Sequence, residues 1–141
     1  MTTTTLSLIS EVQEFLSRPL HRAWINGKAV ESSDEKTFDT YDPGTGERLA
    51  TVAHMTGGDV DAAVCAAQQA FQESGWAQMP PNERGVMLHR LAYEVEKRLN
   101  IIAQIEALEA GKIESQAQGD VENCVSSACL ENRFFEAVRL R

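Results

Sequence analysis

Residues Trp24-Ile25-Asn26-Gly27-Lys28-Ala29-Val30 decide how the chain is read, because an Asn-Gly pair sits between two short apolar runs. Asn and Gly tolerate positive φ, which the two-residue hairpin turn demands. The stretch therefore predicts a β-hairpin turning at Asn26-Gly27. Downstream, a polar loop from Glu31 to Lys36 leads to a strand over Thr37–Tyr41. Asp42-Pro43-Gly44-Thr45-Gly46 then turns the chain into another strand over Arg48–Val52. The glycines of that turn do not form a phosphate loop. Their spacing is wrong and no helix follows, so a hairpin turn is the simpler reading.

Upstream, the Thr-rich residues 1–9 predict a frayed end. Ser10 with Gln13 predicts a capping box for a short helix whose apolar face is Ile9, Val12, Phe15 and Leu16. Pro19 closes that helix. After Gly57-Gly58 the period becomes helical: Val60, Ala63, Val64, Ala67 and Phe71 share a face, and Asp59 and Asp61 suit the first turn. Gly75 stops this helix and Pro80-Pro81 opens the next. A long apolar stripe then runs from Leu88 to Leu108 and ends at Gly111. Asn100 can cap a second segment within the stripe, so one bent helix and two shorter ones are both open. Ser115 with Gln118 predicts a further capping box. The last helix carries Val121, Cys124, Val125, Ala128, Phe135 and Val138. A helical pattern that reaches Arg141 without a stop signal reads as a cut chain.

The chain has 141 residues, 43% of them hydrophobic and 24% charged, which suits a single globular domain or a piece of a larger one. No apolar run approaches the roughly 20 residues a membrane-crossing helix needs. The net charge of −8 comes from 13 basic and 21 acidic residues, and the acidity is spread with no basic stripe. A chain that binds phosphates by releasing counterions needs such a stripe, so nucleic acid and anionic membrane are excluded as expected partners.

Several constellations were weighed for chemistry. Cys65, Cys124 and Cys129 make an odd count without metal spacing, and they read as reduced core or interface thiols of a cytoplasmic protein. His21, His54 and His89 are scattered and read as structural. Gly111-Lys112 is not a Walker motif, since Glu106 stands at the first glycine position and Ile113 at the hydroxyl position. Glu106 and Glu109 lie three apart before Lys112, where solvated helix charges are the commoner reading than acid–base work. The residues alone give an α+β chain with no assembled catalytic or cofactor-binding site.

The order of motifs adds a resemblance. WINGKAV, TFDTYDPGTGERLATV, DVDAAVCAAQQAF, GWAQMPPNERGVMLHRLA and IEALEAGK, in register from Trp24 through Lys112, resemble the N-terminal segment of the aldehyde dehydrogenase superfamily. The opening EFLSRPLHRAWINGK looks most like phenylacetaldehyde-type or betaine-aldehyde-type members. Past Lys112 the resemblance thins. Asp120-Val121 looks like the start of the family's next helix, and CVSSACLENRFFEAVRLR departs from the pattern.

The resemblance implies an α/β fold, α+β within this segment, in which hairpin strands precede long amphipathic helices of a cofactor-binding domain. It divides the chain into residues 1–22, a tail with a short helix, and residues 23–141, the N-terminal part of the domain, cut before the catalytic motifs. It implies NAD- or NADP-dependent oxidation of an aldehyde to an acid in the complete enzyme, through a cysteine nucleophile and a glutamate-activated water. Those motifs and the Gly-rich cofactor turn are absent here, so no cofactor is expected for this chain alone. The three cysteines do not lie in the nucleophile's context. The family also implies a monovalent cation held by the backbone carbonyls of Thr40 and Tyr41 and the carboxylate of Glu109. The implied partners are the remainder of the enzyme or a second chain, in a cytoplasmic homo-oligomer. The rival reading is a free-standing, non-catalytic association module.

Overall fold

The computed structural model of the chain describes residues 7–138, with side-chain burial described through Ser127. Cys129, Phe134, Phe135 and Val138 therefore lie outside the described side chains. The elements are α1 (Ser10–Leu16), β1 (Ala23–Ile25), β2 (Lys28–Val30), β3 (Thr37–Tyr41), β4 (Arg48–Ala53), α2 (Gly57–Glu73), α3 (Pro81–Glu96), α4 (Leu99–Ala110) and α5 (Glu114–Val138).

The Asn-Gly hairpin forms as read. Ile25 pairs with Lys28, and Asn26 and Gly27 have φ of 51° and 71°. Two positive values in succession define the turn whose twist matches antiparallel strands. Strands β3 and β4 form a second antiparallel pair. The two ribbons are coupled at His21, whose backbone N–H donates to Thr51 O (2.8 Å) and whose carbonyl accepts from Ala53 N (2.9 Å).

The long apolar stripe breaks into two helices. Helix α3 starts with Pro81 in its first turn, where the missing N–H costs nothing, and stops before Lys97. Arg98 precedes α4 with φ −112° and ψ 15°, outside the helical region. Glu94 gathers both cations of the break, pairing with Lys97 and with Arg98 (2.6 Å). Asn100 lies inside α4 and does not cap it, because the chain has already re-entered the helix at Leu99.

The core is small and made of small residues. Ala103 and Ala107 of α4 meet Ala117 and Val121 of α5, with Val95, Leu99 and Ile102 packed around them. Helix α5 also runs along α3, where Gly85 and Ala92 are buried. Val12 of α1 is fully buried, and α1 packs on α4.

Gln104, only 5% exposed, joins these layers. Its carbonyl accepts from Ile9 N (3.0 Å), and its amide donates to Ser7 O (3.2 Å) and Glu114 Oε1 (3.0 Å). Residues 7–9 are thereby tied down and not frayed, while residues 1–6 of that expectation lie outside the described residues. The Ser10–Gln13 capping box does not form either. Ser10 is already helical and donates to Glu11, Gln13 donates to Leu8 O, and Gln104 takes the N–H of the capping residue Ile9. Ser115 is likewise inside α5, whose first turn is anchored when Gln116 N and Ala117 N donate to Ile113 O. Helix α5 is continuous through Asp120-Val121, so no helix starts there.

The capping box that does form is Thr56 with Asp59 at the start of α2. Asp59 Oδ2 accepts from Thr56 N (2.8 Å), Thr56 Oγ1 (2.8 Å), Ser33 N (3.2 Å) and Ser33 Oγ (3.2 Å), stitching the Glu31–Lys36 loop to the helix. The Thr56 backbone and hydroxyl bonds, reinforced by Ser33, hold the Asp59 carboxyl down to about 2. Asp34 is also held to about 2, by Lys36 and Ser32.

Two outcomes follow from these turns. Gly27→Val places a β-branched side chain at φ +71° and should destabilise by more than about 1 kcal/mol in urea unfolding. Asn26→Gly should cost little, because glycine accepts the same conformation. The second outcome concerns pH. A carboxylate with a depressed folded pKa stabilises above its unfolded value, near 4, and that stabilisation is lost as pH falls toward about 2. Asp59→Asn should flatten the fall in urea midpoint between about pH 4 and 2.5, leaving the Asp34 share. An unchanged slope would show that the stitch does not exist in solution.

Candidate functional site

The implied cation ligands lie where the β3–β4 turn meets the α4–α5 link. Thr40 pairs with Ala50 and Tyr41 with Arg48, so Leu49 is an extra residue and β4 bulges at this point. The turn that follows is held by Asp42, whose carboxylate accepts from Gly44 N (2.7 Å) and Thr45 Oγ1 (3.0 Å). An aspartate bonding its own backbone two residues on is a turn former in its own right. Gly46, at φ 76°, donates to Asp42 O (2.7 Å) and closes the loop.

Across from the turn, α4 ends at Gly111, with φ 66°. A left-handed residue after the last helical turn is the usual way to satisfy the orphan carbonyls, and Lys112 N donates to Ala107 O (3.1 Å). Pro43 packs directly on Gly111: a β-carbon there would lie 2.8 Å from Pro43 Cγ. The contact brings the segment after Thr40 and Tyr41 against the segment after Glu109. Between them opens a cavity of about 570 Å³. Asp42, Glu47 and Arg48 line its turn side, and Leu108, Lys112 and Glu114 its helix side.

The carboxylates of α4 do not act together. Lys112 Nζ pairs with Glu106 (2.6 Å) and with Asp120 of α5 (3.0 Å), and these two raise its pKa. Glu106 is thereby committed to Lys112. Glu109 stands exposed in the last turn of α4. None of Thr40, Tyr41 and Glu109 lines that cavity; the two carbonyls and one carboxylate that the resemblance implies would make an all-oxygen, singly charged donor set. That set suits a hard monovalent cation, not a thiophilic metal. Among the described residues, no group of three His, Cys, Asp or Glu side chains is assembled.

The remaining candidates disperse. Cys65 on α2 and Cys124 on α5 are free and exposed, so they are not core residues. They sit on helix surfaces that nothing in the described chain covers. His21 packs at a tilt against Phe15, 4.4 Å between ring centroids, and His54 meets Phe38 edge-on at 6.1 Å. His89 lies on α3. Two features escape a reading of the sequence. The Thr56–Asp59 box carries a signal, a Thr three residues before an acid. The Pro43–Gly111 contact carries none, since its partners are far apart in the chain.

Residues 29–133 match the aldehyde dehydrogenase family. The chain belongs to that family. The match continues past Lys112, into the region where the motif resemblance thins. "Putative aldehyde dehydrogenase DhaS" of Bacillus subtilis is 36% identical over 122 residues, covering 86% of this chain and 24% of its own length. The solved NAD+ complex of an aldehyde dehydrogenase from Bacillus cereus is 38% identical with a TM-score of 0.79, over 89% of this chain and 26% of that one. Betaine aldehyde dehydrogenase from Staphylococcus aureus, solved with NAD+, is 28% identical with a TM-score of 0.78, over 85% of this chain and 24% of that one. The chain spans about a tenth to a quarter of the length of the curated relatives it matches. Its hairpins and helices match the N-terminal, cofactor-binding region of the family fold.

Gly111 of this aldehyde dehydrogenase segment meets two constraints at once, a positive φ and a close neighbour. Gly111→Ala combines positive φ with a 2.8 Å clash, and should lower stability by roughly 1–3 kcal/mol in urea unfolding. Pro43→Ala in the same chain should recover part of the loss by removing the Cγ that Ala would strike. Additive effects of the two changes would show that turn and link do not touch.

Proposed function

We propose that this chain is the N-terminal part of an NAD(P)-dependent aldehyde dehydrogenase oxidising an aldehyde to a carboxylic acid, with residues 23–141 serving as scaffold and residues 1–22 as a tail with a short helix. The observation that carries this reading is the family match over residues 29–133, together with the likeness to an NAD+-bound enzyme. NAD or NADP supplies the hydride acceptor when bound to the complete enzyme. The contribution of these residues is to hold the sheet edge, the β3–β4 turn and the α4–α5 link in place. The non-catalytic role of the segment is supported by its span of about a quarter of the matched enzymes.

In this reading the carbonyls of Thr40 and Tyr41 and the carboxylate of Glu109 hold a monovalent cation, for which the Pro43–Gly111 contact sets the approach of the two segments. The complete enzyme is a homo-oligomer. Two free thiols among the described residues suit a reducing, cytoplasmic setting. The spread acidity and net charge of −8 argue against a nucleic acid or anionic membrane partner. No helix among the described residues is long and apolar enough to cross a membrane.

Two preparations test the proposal. The purified 141-residue chain should show no NAD- or NADP-linked aldehyde oxidation above a buffer control. A chimera in which it replaces the matched quarter of the Bacillus cereus enzyme should fold and oxidise aldehydes with NAD. Sodium or potassium should raise the chimera's Tm, and Glu109→Gln should remove that increment. Turnover by the chain alone, or a folded but inactive chimera, would overturn the reading.

A further inference from the structure

Asn26-Gly27 is the one place in the chain where asparagine precedes glycine. An asparagine carries an electrophile, its side-chain amide carbon, within reach of a nucleophile, the backbone nitrogen of the next residue. Together they can close a five-membered ring, and glycine leaves that nitrogen unshielded. The other asparagines, Asn82, Asn100, Asn123 and Asn132, precede Glu83, Ile101, Cys124 and Arg133 and lie inside α3, α4 and α5. Helical φ and ψ hold the next nitrogen away from the side chain.

The fold exposes the Asn-Gly pair and restrains it at the same time. Both residues are exposed, and a β-carbon on Gly27 would meet no atom within 4 Å. The turn itself has the wrong shape for ring closure. With φ of 51° and 71° it is the mirror image of a type I turn, whose first central residue then has ψ of about +30°. That ψ sets the Gly27 nitrogen on the far side of the Cα–C bond from the Asn26 β-carbon. The ring closes only after rotation by roughly half a turn, which breaks the pairing of Ile25 with Lys28. The hairpin must open first.

Opening costs little here. The ribbon has two strands of three residues, and neither strand holds a buried residue. A two-stranded hairpin by itself is marginal in water. At its open end Arg22 Nε donates to Glu31 Oε1 (2.7 Å), an exposed pair of the kind that adds little stability.

We propose that Asn26 is a site of spontaneous deamidation gated by opening of the β1–β2 hairpin, and that the isoaspartyl product locks the hairpin open. The proposal does not depend on the family reading. In the open form the Gly27 nitrogen loses its proton to hydroxide and attacks Asn26 Cγ. The Cγ–Nδ2 bond breaks, the leaving nitrogen takes up a proton, and ammonia departs from a cyclic imide. Water then opens the imide on one of two sides. Cleavage of the bond between the ring nitrogen and Cγ gives aspartate with the main chain unchanged. Cleavage of the bond to the backbone carbonyl carbon gives isoaspartate, whose main chain runs through Cβ and Cγ. The sum is amide plus water giving carboxylate and ammonium, with no change of oxidation state. Asp-Gly suits the same turn and re-forms it. Isoaspartate adds a carbon to the path and spoils the two-residue length that sets the register of Ala23 with Val30 and Ile25 with Lys28.

The test incubates the 141-residue chain in warm, mildly alkaline buffer beside the blocked peptide AWINGK, whose residues are also the tryptic fragment Ala23–Lys28. Trypsin digestion at intervals, with reversed-phase separation and mass spectrometry, follows the asparaginyl, aspartyl and isoaspartyl forms. Asn26 should convert at least tenfold more slowly in the folded chain than in the peptide, and as fast as the peptide once urea unfolds the chain. The other four asparagines should stay intact over the same period. The purified isoaspartyl chain should unfold at a lower urea concentration than the parent, and Asn26→Asp, which matches its charge, should not. The gating falls if the folded chain converts within a few-fold of the peptide. The site itself falls if the folded chain shows no conversion after the peptide has reacted completely. Equal urea midpoints for the isoaspartyl chain and Asn26→Asp would remove the lock.

Discussion

Close approach of α4 and α5 is the constraint on which the other contacts depend. Gly111 reverses the chain between them in a left-handed conformation, and Ala103, Ala107 and Ala117 allow the two helices to meet with only methyl groups between. Larger side chains at these positions would push the helices apart, because well-packed interiors absorb added volume poorly. Three other contacts use the same pair as a base. Helix α3 lies along α5, α1 seats Val12 beside α4, and Gln104 ties residues 7–9 to both. Gln104 is nearly buried, so each of its three bonds replaces a bond to water. Removing the side chain would strand the Ile9 N–H, a loss of roughly 1–3 kcal/mol.

The same reversal sets how the β3–β4 turn meets the α4–α5 link, the two segments that carry the candidate cation ligands. With no side chain on Gly111, Pro43 can press on the backbone, so the turn after β3 packs on the link after α4. The charges around the site are arranged in compensating sets. Lys112 is held between Glu106 and Asp120, and Arg48 lies by Asp39. These exposed pairs contribute little to stability individually.

Local features of the sequence were the most legible. The Asn26-Gly27 turn, the strand at Thr37–Tyr41, the helix opening at Pro81 and the stop at Gly111 each carry their cause within a few residues. The cap assignments were less secure for the same reason. Ser10, Asn100 and Ser115 all have the right chemistry, but a distant glutamine, an earlier helix restart at Leu99 and the Ile113 carbonyl decide those boundaries instead. Burial was the least legible. A helical period marks Val60, Val64 and Phe71 as a face, and it places Cys65 in an apolar stretch, but it does not say whether the covering surface belongs to this chain. The Pro43–Gly111 contact was invisible because nothing short-range links a turn to a helix end so far along the chain.

The alanine core has a calorimetric consequence. Heat-capacity change on unfolding scales with the apolar surface that becomes newly hydrated, typically about 12–15 cal/mol/K per residue. Among the described residues, Val12 is the largest fully buried side chain, and many of the bulky apolar residues are already in water before unfolding begins. The increment per residue therefore falls below that range. A small increment lessens the curvature of free energy against temperature, so less stability is lost on cooling.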